Sequence, residues 1–286
     1  MKGTQHKRTF AQYLAMYGCI STGVLYLAVG IIAILSFLRI KHGGADEANL
    51  VAFLDGYFTG RIMVVFILLG MVSYLCWRIY ESVTDPYGYG KEAKGLTIRT
   101  GIALSSVADA LIAYTAVEAL FGIGQLEESG PPRHERQMIR GVLQESWGDW
   151  LVITIGGIIL VTAVVQFIYG ITQGYKNRLN IERLQGWARK TLHVLAWVGY
   201  TARGIILGII GVFLIKAGLT HDAHHVVNTD KAFDFIGDNI GGIPFLLVAA
   251  GTIAYGVFMI LLGLYYDASK DVPGSKVQKK KAMRGQ

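Results

Sequence analysis

Charge is what this sequence has little of. Of 286 residues, only 16% are Asp, Glu, Lys or Arg, while 52% are hydrophobic. Soluble domains carry roughly a quarter charged residues, so the deficit points away from water. Proline is scarce at 5 and cysteine at 2. Long helices are therefore seldom broken, and a disulfide-stapled scaffold is excluded. Cys19 and Cys76 both fall inside apolar runs and read as reduced core residues. There is no phosphate-cradling P-loop and no H-E-x-x-H pair, so the motifs of nucleotide and zinc hydrolases are missing.

What the chain does have is apolar runs of about 20 residues, the length at which a helix crosses a hydrocarbon core of about 30 Å. Six are predicted, at 14–37, 62–80, 98–121, 150–171, 194–217 and 243–265. The first is too long for a signal-peptide core and has no small-residue cleavage site after it. The net charge of +7 does not mark a nucleic-acid binder, because the cations alternate between loops. Lys2, Lys7 and Arg8 precede span one; Lys91, Lys94 and Arg99 stand between spans two and three. Lys176, Arg178, Arg183, Arg189 and Lys190 stand between spans four and five, and Lys279, Lys280, Lys281 and Arg284 lie in the tail. The other three loops together hold seven cations, Arg39, Lys41, Arg61, Arg133, Arg136, Arg140 and Lys231, against the fifteen just named. This bias predicts an inner-membrane protein with both termini in the cytoplasm. Membrane lipids are the implied partners, with the tail cations near anionic headgroups. Trp77, Trp147, Trp150 and Trp187 lie at span ends, as an aromatic belt would place them.

The spans are internally repeated. Gly18, Gly23 and Gly30 recur at the same spacing as Gly199, Gly204 and Gly211, and span three keeps the frame with Gly101, Ser106 and Ala113. Gly70 and Tyr74 match Gly251 and Tyr255. The expected fold is all-α and integral to the membrane: six spans as three parallel two-helix repeats in a pseudo-threefold bundle. Repeat 1 covers 10–85, repeat 2 covers 95–177 and repeat 3 covers 186–267, with a basic tail at 268–286. The recurring small residues are packing positions, since lipid supplies little hydrophobic drive between helices. Within the loops, 51–54 and 233–236 read as short amphipathic stubs.

The stretch Tyr17-Gly18 with Thr22-Gly23, Tyr26 and Gly30, and the stretch from Gly199 through Arg203 to Gly204, resemble the repeat opening of bacterial domain of unknown function family 1206. Trp77-Arg78, Asp85-Pro86, Lys94-Gly95 and Arg99 resemble the junction of its first two repeats. The resemblance covers about residues 10 to 267. It departs in repeat 2, where Ser106 and Ala113 replace glycines and Asp109 replaces the tyrosine. It implies a six-helix bacterial membrane protein and no particular activity.

Ionisable residues inside spans are costly in hydrocarbon and usually face inward with a partner. Asp109, Arg203, Glu118 and Lys216 are the candidates. Glu118 and Lys216 lie seventeen residues after Gly101 and Gly199, so they share a depth and could pair; Asp109 and Arg203 are a second possible pair. Such residues serve either as tethers between repeats or as the lining of a polar path. His221, His224 and His225 would share a helical face and are weak metal candidates; most short histidine loops are merely solvated. No cofactor, catalytic set or nucleic-acid partner is expected. The reading is a structural or accessory membrane protein, as a homo-oligomer or beside other membrane proteins; the alternative is a channel or transporter for a small solute or ion.

Overall fold

A computed structural model describes residues 10–38, 58–85, 90, 92, 93, 95, 96, 99–103, 133–178 and 186–265. Among these residues the regular structure is helical. The α-helices are α1 (Phe10–Phe37), α2 (Phe58–Thr84), α3 (Arg133–Leu143), α4 (Gly148–Thr172), α5 (Gly186–Thr220), α6 (Thr229–Asn239) and α7 (Gly242–Leu264). Short 3-10 turns cover Gly174–Arg178 and Ala223–His225. Four of the helices, α1, α4, α5 and α7, are long and apolar enough to cross a membrane. They contain the first, fourth, fifth and sixth predicted spans, and α2 contains the second. Most of the third, 98–121, lies outside the described residues.

The helix ends follow local chemistry. Gln173 takes a left-handed φ of 55° after α4, and its N–H returns to the Tyr169 carbonyl. His221, at φ 53°, ends α5. Gly241 precedes α7 at φ 117°, a value that only glycine adopts freely. Asn228 caps α6 by accepting from the Lys231 N–H at 3.1 Å. Within the long helices Thr154, Thr162, Thr172 and Thr252 donate to the carbonyl four residues back, which satisfies each hydroxyl without water. Helix α5 starts eight residues before the predicted span, at Gly186 rather than 194. Its first two turns, with Arg189 and Lys190 exposed, are polar enough to escape a hydropathy reading while remaining helical.

The stub expected at 233–236 lies inside α6, where Phe233 and Ile236 are each 1% exposed and Phe233 meets Phe245 at 5.4 Å. It is docked on protein rather than laid on lipid. The stub at 51–54 lies outside the described residues. Helix α3 was not anticipated; its signal was Met138, Ile139, Val142 and Leu143 recurring at helical spacing among charges. Two further expectations change. Trp77 is 2% exposed and packs inward beside Tyr80, so it is core and not belt, while Trp147, Trp150 and Trp187 are exposed. Cys19 is buried as expected, but Cys76 is exposed on the outside of α2.

Helix α1 lies between α2 and α7, and α5 lies between α7 and α4. The contacts run antiparallel through glycine. A Cβ on Gly23 would stand 2.7 Å from the Gly256 carbonyl oxygen and 2.8 Å from the Ile260 nitrogen. Seven residues on, one at Gly30 would stand 3.0 Å from the Ala249 oxygen and 2.9 Å from the Ile253 nitrogen. The α5–α4 pair repeats this arrangement: Gly204 over Ala163 at 3.2 Å, then Gly211 over Gly156 at 3.0 Å. Within repeats, Gly18 approaches the Tyr74 Cα and Gly199 the Tyr255 Cα, each with a would-be Cβ at 2.6 Å. Repeats 1 and 3 thus share one intra-repeat contact. Gly101 is looser, with Val165 at 3.9 Å.

These seats predict opposite effects for one chemical change. Gly256→Ala puts a methyl 2.5 Å from the Leu27 nitrogen and should cost about 1–3 kcal/mol as overpacking. Gly157, on the same kind of helix but with nothing within 4 Å, should accept alanine neutrally or gain up to about 1 kcal/mol. Thermal unfolding of the two variants in lipid nanodiscs distinguishes them; equal shifts would refute the glycine-seat account.

Candidate functional site: a buried arginine among tyrosines

The deepest charge within the described spans is Arg203. It lies halfway along α5, 5% exposed, on the side facing α1 and α7. Its Nη1 donates to the Tyr255 hydroxyl. Its guanidinium carbon lies 4.9 Å from the Tyr26 ring centre and 5.0 Å from the Tyr255 ring centre. The two rings meet edge to face at 5.1 Å. A guanidinium stays protonated in any protein environment, so the site must stabilise a cation out of water. Ring faces supply negative potential, worth about 2 kcal/mol or more when the pair is desolvated. The local sequence makes this possible: Gly204 and Gly199 flank Arg203 and bring α4 and α7 close, so the side chain fills space that those helices leave.

From Tyr255 the aromatics continue toward the start of α5. Tyr200 meets Tyr255 at 5.4 Å and Phe258 at 5.5 Å, and lies 6.4 Å from Tyr175 in a near-parallel stack. Tyr175, in the turn after α4, is fully buried, and its hydroxyl is 2.7 Å from Nδ1 of His193. Burial pushes the Tyr175 phenol up to about 12. At neutral pH it is therefore a neutral hydrogen-bonding group and not a nucleophile. The pair joins two repeats, since Tyr175 follows α4 and His193 lies on α5.

A second polar group closes the end of α2. Glu81 is fully buried, with Arg78 at 3.5 Å. Arg99 donates through Nε to the Ser82 carbonyl and through Nη2 to the Val83 carbonyl, each at 2.7 Å, while the Ser82 hydroxyl donates to the Arg99 carbonyl at 3.0 Å. A cation on the last carbonyls of a helix satisfies orphan acceptors and complements the helix dipole. The i, i+3 spacing of Arg78 and Glu81 was the available sequence signal, and it was missed.

Of the other predicted site residues, Asp109 and Glu118 lie outside the described residues, so neither predicted pair is visible. Lys216 is exposed on α5. The packing glycines 18, 23, 30, 199, 204 and 211 are all buried at helix contacts. His221, His224 and His225 do not share one helix: His221 breaks α5, and the other two lie in a 3-10 turn. His221 bonds Asp149 at 2.8 Å and His224 meets Arg140 at 3.5 Å. Among the described residues no group of three His, Cys, Asp or Glu could hold a metal ion.

Two outcomes are expected. Hydrogen bonds to charged groups contribute about 1.5–3 kcal/mol. Tyr255→Phe should therefore destabilise, and combined with Arg203→Met the loss should be less than the sum, by a coupling of roughly 0.5–3 kcal/mol. Additive losses in a double-mutant cycle would refute the pairing. For Tyr175, the raised folded pKa means that its stabilising contribution is complete below about pH 10, the ordinary phenol value, and is lost toward about pH 12. An absorbance titration of tyrosinate should show one late step that Tyr175→Phe removes, and the variant's stability should decline less over that window.

The family described as Domain of Unknown Function (DUF1206) matches this chain in three tandem segments, residues 17–85, 100–173 and 198–266. A protein of Bacillus subtilis (strain 168), named Uncharacterized protein YxxB, is 26% identical over 264 residues, covering 91% of this chain and 93% of its own length. No solved structure matches. The three segments begin one residue after Met16, Arg99 and Trp197; the first covers most of α1 and all of α2, and the third covers the larger part of α5 with α6 and α7, as a family of three tandem repeats does. With matches over most of its length, the chain belongs to the Domain of Unknown Function (DUF1206) family.

Proposed function

We propose that the chain is a six-span bundle of the bacterial inner membrane, both termini cytoplasmic, in which three repeats close into a pseudo-threefold ring. Its role in this reading is structural or accessory, as an oligomer or a subunit of a larger membrane complex, and not enzymatic. Three helix contacts support the ring. A Cβ on Gly263 would lie 2.8 Å from the Met16 carbonyl oxygen, and one on Gly170 3.8 Å from that of Trp197; Ser82 bonds Arg99. Met16, Arg99 and Trp197 each lie one residue before a family segment (17 − 1, 100 − 1, 198 − 1). Ser82, Gly170 and Gly263 each lie three before its end (85 − 3, 173 − 3, 266 − 3). Each repeat's first helix thus meets the second helix of the repeat before it, with repeat 1 meeting repeat 3.

The observation that carries the functional reading is the tyrosine enclosure of Arg203. The charge is absorbed by rings and a hydroxyl inside close-packed helices, as a tether is, and the aromatics Tyr26, Tyr200, Tyr255 and Phe258 fill the space around it. The second reading, a channel or transporter, draws on the same residue, since a buried cation favours anions along a polar path. Reconstitution separates the two. The chain in proteoliposomes should pass neither chloride nor potassium above empty vesicles, and native mass spectrometry of gently extracted membranes should find it as an oligomer or with a partner. An anion flux abolished by Arg203→Met, from a monomer, would overturn the structural role in favour of conduction.

A further inference from the structure

The loop after α5 is tied to its neighbours by two histidines whose contacts respond oppositely to a proton. His221 Nδ1 lies 2.8 Å from Asp149 Oδ1 at the start of α4. A carboxylate only accepts, so that nitrogen carries a hydrogen in either charge state, and protonation strengthens the contact. His224 Nε2 lies 3.5 Å from Arg140 Nη2 on α3. Arginine only donates, so Nε2 must be bare. This contact exists only for neutral His224; a proton there sets two cations against each other.

The attachment of α3 is otherwise light. Arg136 Nε donates to the Val226 carbonyl at 3.2 Å. Leu143 packs in one buried cluster with Ala223 and Val226, and Ile139 and Val142 press on it from the side. Among the described residues, the charged and titratable groups around the loop include Arg136 and Arg140 from α3, Asp149 from α4, His221 at the end of α5, Asp222 and His225 in the loop itself, and Asp230 and Lys231 at the start of α6, the last of these near Arg136. Asp222 bonds the His224 N–H at 2.8 Å, and this bond, with His224, His225 and Arg140 close by, holds its carboxyl below the usual range. It therefore remains a fixed anion that shapes the loop and does not bind α3. Sequence adds a distribution: His42, His134, His221, His224 and His225, five of the seven histidines, stand in the three loops predicted to face outward.

We infer that α3 is an acid-released clasp: a proton on His224 sets it against Arg140 and loosens α3 from the Ala223–His225 turn, while His221 and Asp149 keep the turn fixed to α4. Histidine is the side chain whose charge ordinarily changes between pH 5 and 8. An exposed pair of this kind is worth up to about 1 kcal/mol, so opening of α3 should rise by up to about fivefold. The release would uncover Leu143, Ala223 and Val226 at the outer face.

Hydrogen–deuterium exchange of the full chain in lipid nanodiscs tests this, with rates at pH 5.5 and 7.5 corrected for intrinsic chemical exchange. Peptides covering Arg133–Leu143 should exchange severalfold faster at pH 5.5, and those at the start of α4 should not. His224→Gln keeps an acceptor without a titrating proton and should abolish the difference; His221→Asn should leave it in place. A pH-independent α3 in the natural chain, or an acid response that survives His224→Gln, would overturn the clasp.

Discussion

The close approach of polar backbones in a medium without water is the constraint on which this structure depends. In lipid, apolar side chains gain little by leaving hydrocarbon for one another, so helices associate by van der Waals fit. Fit of this kind needs gaps where side chains would otherwise stand. The glycines of α1 and α5 make them, seating Gly23, Gly30, Gly204 and Gly211 directly over carbonyls of α7 and α4. Because consecutive seats are seven residues apart on one helix and seven back on its partner, register and antiparallel direction are set together. A one-residue slip would drive Ile253, Ile260 or Leu160 into backbone.

The arginine enclosure follows from that constraint. Arg203 can occupy the interior because Gly199 beside it brings α7 close, and α7 supplies the Tyr255 ring and hydroxyl while α1 supplies the Tyr26 ring. The tyrosines in turn link α1, α5 and α7 into one aromatic body that reaches Tyr175 in the turn between α4 and α5. Charge, rings and glycines are therefore one packing solution: the cation would be too costly without the rings, and the rings would not meet without the glycines.

Much of this was legible in the sequence, and the limits were physical. Long apolar runs reveal themselves by composition, so α1, α4, α5 and α7, the four described helices long and apolar enough to cross a membrane, coincide with predicted spans to within a few residues at most ends, and α2 forms a helix over the second predicted run. The glycine frame revealed which contacts recur, since absence of a side chain leaves a fixed spacing. Helix α5 runs eight residues ahead of its predicted apolar span because hydropathy records solvent and not backbone geometry. Trp77 was assigned to the membrane surface because its position along the chain was known but its direction around α2 was not. The Arg203 partners escaped because Tyr26 and Tyr255 lie on other helices, and only the three-dimensional arrangement brings an apolar-looking tyrosine to a cation. Helix α3 was hidden by its charges, which mask an apolar face of four residues.

The repeats are alike where helices touch and unlike where charge is held. At the position of Tyr26 in repeat 1, repeat 2 has Asp109 and repeat 3 has Leu207; at the position of Arg203, repeat 1 has Thr22 and repeat 2 has Ser105. An obligate structural ring would gain from three identical interiors, since one good packing solution could be used three times. By sequence, then, these frame positions hold a Tyr in repeat 1, an Asp in repeat 2 and an Arg in repeat 3. Burying Arg203 carries a desolvation cost that symmetric apolar packing would avoid. In the proposed structural role this asymmetry would serve specificity, since unlike faces distinguish one neighbour from another; conduction would in addition require the charged group to remain accessible to water, which the ring faces over Arg203 oppose.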